Sequence, residues 1–353
     1  MTRRERALVD HEVVLCLGTG GVGKTTVASA LALQSAFAGR RALVVTVDPA
    51  RRLAGALGVE LGSEPVEVTG EWDGRLDALM LDRRQALDAA VRRHSPDPAT
   101  AAKILANRYY QNLLDVAPGA TEHAVTEVLH ELHGRGEWDL IVIDTPPARD
   151  ALSILAAPRL MIELASRGMG SGTGTMSRIR RAAISTGLKA VGRIIGASVV
   201  EDLRIFFEAL AGLRAGLEER AGAIEALLVS DRVAYACVTR PRLDTLTEAR
   251  TIRDQLVADR RQVHTVFVNQ MRPDPPSRDP AALRALASEA DMPTAAALKA
   301  LAHLKEVAAL ERSLVDELAR DIDADVVRLT MLEGDVHDVS GVAAIARMIE
   351  SGH

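Results

Sequence analysis

Residues 18–25 read Gly-Thr-Gly-Gly-Val-Gly-Lys-Thr and fit the pattern GxxxxGK[ST]. Each residue type in that pattern has a task around phosphate. Glycines let the backbone close around the anion and turn several N–H groups inward, and the helix that follows presents its positive end. Lys24 is placed to reach the β- and γ-phosphates, and the Thr25 hydroxyl to ligate Mg²⁺. A second expected element is a strand that ends in an acid. "LIVID" ends at Asp144 and runs into "TPP", so Asp144 is the candidate to hold Mg²⁺, directly or through a water. The plainer alternative is an acid that merely ends a strand. A third acid closes "LVVTVDPA". Pro49 would stop that strand and fix its exit, and the Asp48 carboxylate could then orient or deprotonate an attacking water. A simple strand-end turn is the competing reading. No NKxD pattern for guanine is present, whereas "VFVNQ" ends a strand at Asn269-Gln270. An amide donates and accepts, which suits adenine and favours ATP over GTP.

These residues need strands behind them. Short apolar runs occur at 13–18, 42–48, 76–82, 139–144, 233–239, 263–269 and 326–332. Most are rich in β-branched residues and several are apolar on both faces, as in strands buried in a parallel sheet. Helical patterns at 24–38, 243–258 and 338–350 alternate with them, which predicts an α/β, doubly wound, mostly parallel sheet. Residues 83–133 and 158–222 lack strand pattern and read as helical insertions. Within the second, "RGMGSGTGTMS" at 167–177 has loop composition.

Composition narrows the class. Of 353 residues, 26% are charged, the net charge is −5 and aromatics make up 3%, so neither the basic face nor the stacking aromatics of a nucleic-acid binder is evident. Cys16 and Cys237 lie singly in apolar runs and outside any CxxC; they read as buried small residues. The charged N-terminus "MTRRERALVDHEVV" does not resemble a signal peptide, and no apolar run has the ~18 residues needed to span a bilayer, so a cytoplasmic location is expected.

Taken together, "GTGGVGKTT", "TVDPARRLAGALG", "DTPPARDAL", "VNQ" at 268–270 and "LEGDVHDVSGV" at 332–342 resemble the arsenite-efflux and tail-anchored-protein-targeting ATPases (ArsA/Get type), a branch of the deviant P-loop group. The resemblance covers about residues 12–350. It implies a single P-loop ATPase domain over 1–353, with insertions 83–133 and 158–222 forming a helical subdomain with a nucleotide-gated hydrophobic groove for a client. It further implies a homodimer with facing ATP sites and a hydrophobic client protein or membrane-associated partner. Gly20, Gly21, Val22, Gly23, Lys24, Thr25 and Thr26 would bind phosphate, Asp48 would position water, and Asp144 and Thr25 would serve Mg²⁺. Three departures stand out. Thr19 occupies the place of the signature lysine, the CxxC of the family's zinc site is absent, and there is no cysteine triplet for arsenite. We therefore expect no zinc site. Arg51, Arg52 and Arg149 are the candidates to compensate for Thr19. Two other readings of the chain are a nucleotide-gated scaffold with little hydrolysis and a partition or positioning ATPase.

Two further features have more than one reading. Residues 164–200 hold six bases and no acid, and Ile184, Leu188, Val191, Ile195 and Val199 share a helical face; this is either a client or membrane-surface helix or one packed on its own domain. His123, Glu127 and His130 also share a helical face, as metal ligands or as parts of an ordinary amphipathic helix.

Overall fold

A computed structural model describes residues 8–47, 52–107, 110–111, 120–146, 153–154, 156–157, 219–275 and 278–351. Asp48, Arg51, Arg149, the basic stretch 164–200 and the loop 167–177 lie outside them. The chain divides into two compact units.

The first unit comprises Met1–Met80, Gly136–Leu152 and Asp231–His353. Its strands are β1 (Val13–Leu17), β2 (Arg41–Thr46), β3 (Val66–Val68), β4 (Arg75–Met80), β5 (Leu140–Asp144), β6 (Val233–Thr239), β7 (Thr265–Met271) and β8 (Asp325–Thr330). They form one sheet in the order β3-β4-β2-β5-β1-β6-β7-β8. All neighbours pair in parallel except β3 with β4. Every residue of β1, β5 and β6 is buried, which explains their unbroken apolar runs. Alternate residues, including Val14, Cys16, Val44, Val142, Ala236 and Phe267, share a core with α1 (Lys24–Phe37), α2 (Arg52–Leu57) and α9 (Val339–Ser351). The intervening residues, such as Leu15, Val45, Ile143 and Val268, are equally buried on the opposite face. A sheet covered on both faces is the expected doubly wound arrangement.

Three elements were not read from the sequence. The strand β3 was not foreseen: at three residues, with one fully buried position, it has too little pattern to read. The stretch after β7 folds as α7 (Pro280–Glu289) and the 30-residue α8 (Met292–Asp321), each with an aspartate at the N-cap position followed within two residues by proline, and Asp279 of α7 accepts from the N–H groups of Ala281 and Ala282. Proline at the first or second helical position, which costs no hydrogen bond there, was the available signal.

The second unit comprises Leu81–Arg135 and Ser153–Ser230. It contains α3 (Arg83–His94), α4 (Pro98–Leu105), α5 (Ala120–Arg135) and a helical segment at 219–228, which by chain order precedes α6 (Leu243–Ala258) of the first unit. The helix α3 packs on both α4 and α5. Asp82 and Asp97 cap α3 and α4 by accepting N–H bonds from Gln85 and Thr100.

Candidate functional site

The loop between β1 and α1 emerges at the carboxyl ends of the parallel strands, at the middle of the sheet. Two of its glycines are required by contact as well as by backbone angle. At Gly18 φ is +150°, and a Cβ would lie 2.2 Å from the Val238 carbonyl oxygen. At Gly23 φ is +96°, and a Cβ would lie 2.1 Å from Asn269 Nδ2. Any side chain at either position is incompatible with the loop as folded. Gly23 is also the N-cap of α1, so the first-turn N–H groups of Lys24, Thr25 and Thr26 face the loop without intrahelical partners of their own.

Lys24 is 8% exposed, and its Nζ donates to the Thr19 carbonyl at 2.9 Å, drawing the ammonium across the loop. One residue on, Thr25 Oγ1 donates to Asp144 Oδ2 at 2.7 Å. The register pairs Asp144 with Cys16 of β1 and with Thr46 of β2, so the carboxylate sits between the ends of both strands. Thr46 Oγ1 donates to the same Oδ2 at 2.9 Å. Sequence reasoning missed Thr46; its signal was a hydroxyl two residues before Asp48 on an alternating strand. Thr145 completes the corner, its hydroxyl donating to the Cys16 carbonyl at 2.6 Å. Beneath the loop, burial and then the Asp144 charge hold the Cys16 thiol well above its ordinary pKa, and burial pushes Cys237 up to about 12. Both are neutral packing residues, as expected.

Asn269 is 5% exposed and is turned onto the loop. Its Nδ2 donates to the Val22 carbonyl at 2.9 Å, and its Oδ1 accepts from the Gln270 N–H at 2.9 Å. The strand does not stop there but continues to Met271 through a register irregularity, with Gln270 at φ +60°. That left-handed residue is uncommon for glutamine and marks strain at the site. One N–H and one lone pair of the Asn269 amide are left for another group. Lys24, Thr25, Thr46, Asp144 and Asn269 are thus brought to one mouth, with Gly20, Gly21, Val22 and Thr26 in the loop and first turn beside them. A cavity of about 790 Å³ elsewhere, lined by Leu243, Arg272, Leu310 and Glu311 among others, contains none of these residues.

The helical unit treats its candidate residues differently. Glu127 is 2% exposed and accepts from Arg220 Nε at 3.2 Å and Arg93 at 3.4 Å, with His94 Nε2 at 3.9 Å. Burial alone would raise its pKa, but His94, His123 and Arg220 hold it below the usual carboxylate value. Burial lowers His123 and His130. Two arginines on the one carboxylate make this an ionic lock, and among the described residues no His/Cys/Asp/Glu group has the geometry of a metal site. No helix among them is long and apolar enough to cross a membrane.

Comparison with known proteins agrees with the loop geometry. The profile of the anion-transporting ATPase family matches residues 11–291. The chain is 24% identical over 265 residues to ATPase GET3 of Malassezia globosa, covering 74% of this chain and 73% of that one. It is 26% identical over 262 residues to ATPase get3 of Schizosaccharomyces pombe, covering 73% of each. A shorter match, 38% over 146 residues, is to the uncharacterized protein SCO2128 of Streptomyces coelicolor; it covers 41% of this chain and spans only 36% of that protein's length. With the family profile extending over more than half of its length, the chain belongs to the anion-transporting ATPase (ArsA) family.

Proposed function

We propose that the protein is a Mg²⁺-dependent ATPase that works as a dimeric switch, coupling ATP binding and hydrolysis to the capture and release of a hydrophobic client or membrane-associated partner. The observation that carries the nucleotide half is the convergence of Lys24, Thr25, Thr46 and Asp144 at the N-terminus of α1. An ammonium and a helix N-terminus suit a polyphosphate, and a carboxylate beside hydroxyls is an oxygen donor set that suits Mg²⁺. Thr25 and Asp144 would hold the metal, which when bound would neutralise phosphate charge. The Gly20–Thr26 backbone and Lys24 bind the phosphates. Thr46 fixes the Asp144 carboxylate. Asp48, outside the described residues, is assigned on its sequence pattern to orient the attacking water. Asn269, with one N–H and one lone pair left after bracing Val22, is assigned to the adenine edge. The homodimer and the client role of the helical unit rest on the family resemblance; a cytoplasmic setting rests on the charged N-terminal stretch and the shortness of the apolar runs.

Calorimetry with ATP and GTP, with and without Mg²⁺, together with a steady-state hydrolysis assay, tests the reading. ATP should bind more tightly than GTP and be turned over only with Mg²⁺. Asp48→Asn should keep ATP affinity within a few-fold and slow hydrolysis by ~10²-fold. A protein that binds no nucleotide would sink the proposal. Tight binding without turnover would leave the gated scaffold instead.

A further inference from the structure

We infer that Arg240 is a phosphate-binding residue of the nucleotide site. The inference rests on the nucleotide reading above and supplies a cation that the loop itself lacks. Lys24 is the single basic residue between Gly18 and Thr26, and position 19 is a threonine. A triphosphate with its metal is still anionic, so a second cation at the mouth is chemically expected.

The topology places Arg240 there. The strand β1 has two neighbours, β5 on one side and β6 on the other. Asp144 ends β5. The strand β6 ends at Thr239, and Arg240 follows it at the same edge of the sheet. The parallel register pairs Leu17 with Cys237, which sets Val238 beside Gly18. The 2.2 Å approach of a Gly18 Cβ to the Val238 carbonyl oxygen shows how tightly this end of β6 presses on the phosphate loop. Arg240 lies two residues beyond that contact. Its backbone is held in place: its carbonyl accepts from the Arg242 N–H at 2.8 Å and from Thr245 Oγ1 at 2.9 Å.

The side chain is anchored differently. Arg240 Nε is sealed from solvent and has no hydrogen-bond partner. Two other arginines among the described residues have a sealed, unbonded guanidinium nitrogen, and both are engaged elsewhere. Arg40 donates to the Asp139 carbonyl at 2.8 Å, and Arg261 lies 3.6 Å from Asp259. Two residues along, Arg242 is paired with Asp244 at 3.2 Å. No acidic group among the described residues engages the Arg240 guanidinium. A sealed Nε is closed to a phosphate oxygen, but the two Nη groups of the same guanidinium are not among the sealed, unbonded atoms, and they form the fork that a phosphate fits best.

The test compares wild type, Arg240→Ala, Arg240→Gln, Arg240→Lys and the double variant Thr19→Lys/Arg240→Ala, all with Mg²⁺. Binding of ATP and, by competition, of adenosine is measured beside steady-state hydrolysis. Circular dichroism and thermal unfolding report folding, and Arg240→Gln keeps side-chain bulk should the alanine variant misfold. Removing the guanidinium should lower ATP affinity or turnover by about 10-fold or more while leaving adenosine unchanged. Arg240→Lys should retain part of the function, and Thr19→Lys should restore part of what alanine removes. Wild-type behaviour of folded Arg240→Ala or Arg240→Gln would overturn this inference alone. So would an equal loss for adenosine, because the defect would then not lie with phosphate. A wild type that binds none of these ligands would overturn the nucleotide reading and this one with it.

Discussion

Asp144 and Glu127 are buried alike, each 2% exposed, but their surroundings oppose each other. Asp144 Oδ2 accepts from the hydroxyls of Thr25 and Thr46, neutral donors that orient the carboxylate. Glu127 receives two arginines and stands beside His94, His123 and His130, so its charge is answered from within the helical unit. The contrast separates a carboxylate held by hydroxyls at the end of a strand from one held by arginines between helices. Burial and residue type alone do not tell the two apart; the donors do.

The comparison predicts losses of different kinds. Lys24→Ala should have the largest effect, lowering ATP affinity by ~10²-fold or more while the helical unit melts as before. Calorimetry and a thermal scan on one sample check both halves. Glu127→Ala should do the reverse. Removing one partner of a buried ionic cluster leaves Arg220 unanswered and should cost about 3 kcal/mol, near the low end for such clusters because Arg93 is 35% exposed. Nucleotide affinity should stay within a few-fold; a matching loss of ATP binding would break the contrast. Asn269→Ala should be milder. It frees the Val22 carbonyl and removes the amide proposed for the base edge, so ATP affinity should fall by ~10-fold.

The smallest effect is a pH dependence. His123 and His130 have folded pKa values lowered by burial. In the folded state they bind fewer protons than in the unfolded chain over the window below about pH 6.5, so stability is lost as pH falls through that window. Glu127, also lowered, adds a loss at more acid pH, below the ordinary carboxylate value. The thermal midpoint of the helical unit should therefore drop between about pH 7.5 and about pH 5.5, and His123→Gln should flatten the slope. A midpoint that rises on acidification would contradict the assignment.

Much of the first unit was legible because its strands are apolar on both faces and end in chemistry-bearing residues. The runs that became β1, β5 and β6 needed no knowledge of their neighbours. What escaped was whatever depended on a distant partner. "LDALMLD" reads as an apolar run with polar ends, but Asp77 within it is fully buried, because Trp138 Nε1 donates to it at 2.7 Å and Arg75 Nε at 3.0 Å. Glu127 beside two histidines could be read as a metal ligand or as part of an ordinary amphipathic helix; Arg93 and Arg220, far off in the chain, make it a lock. Asn269 was read for adenine, and its grip on Val22, 247 residues away in sequence, could not be foreseen. Arg240 was passed over for Arg51 and Arg149, which stand next to recognisable motifs, whereas its own place follows from the pairing of β6 with β1.

That pairing has a consequence for synthesis. The strand β1 precedes all the others described, and its two sheet neighbours begin at Leu140 and Val233. On the ribosome the fully apolar Val13–Leu17 has no edge to join until well over a hundred further residues have emerged, and its second edge waits until β6 has followed. The phosphate loop is therefore translated well before it is clamped on both sides. Such long-range parallel pairing folds slowly and leaves an adhesive strand uncovered meanwhile, so chaperone demand during translation is built into the strand order itself.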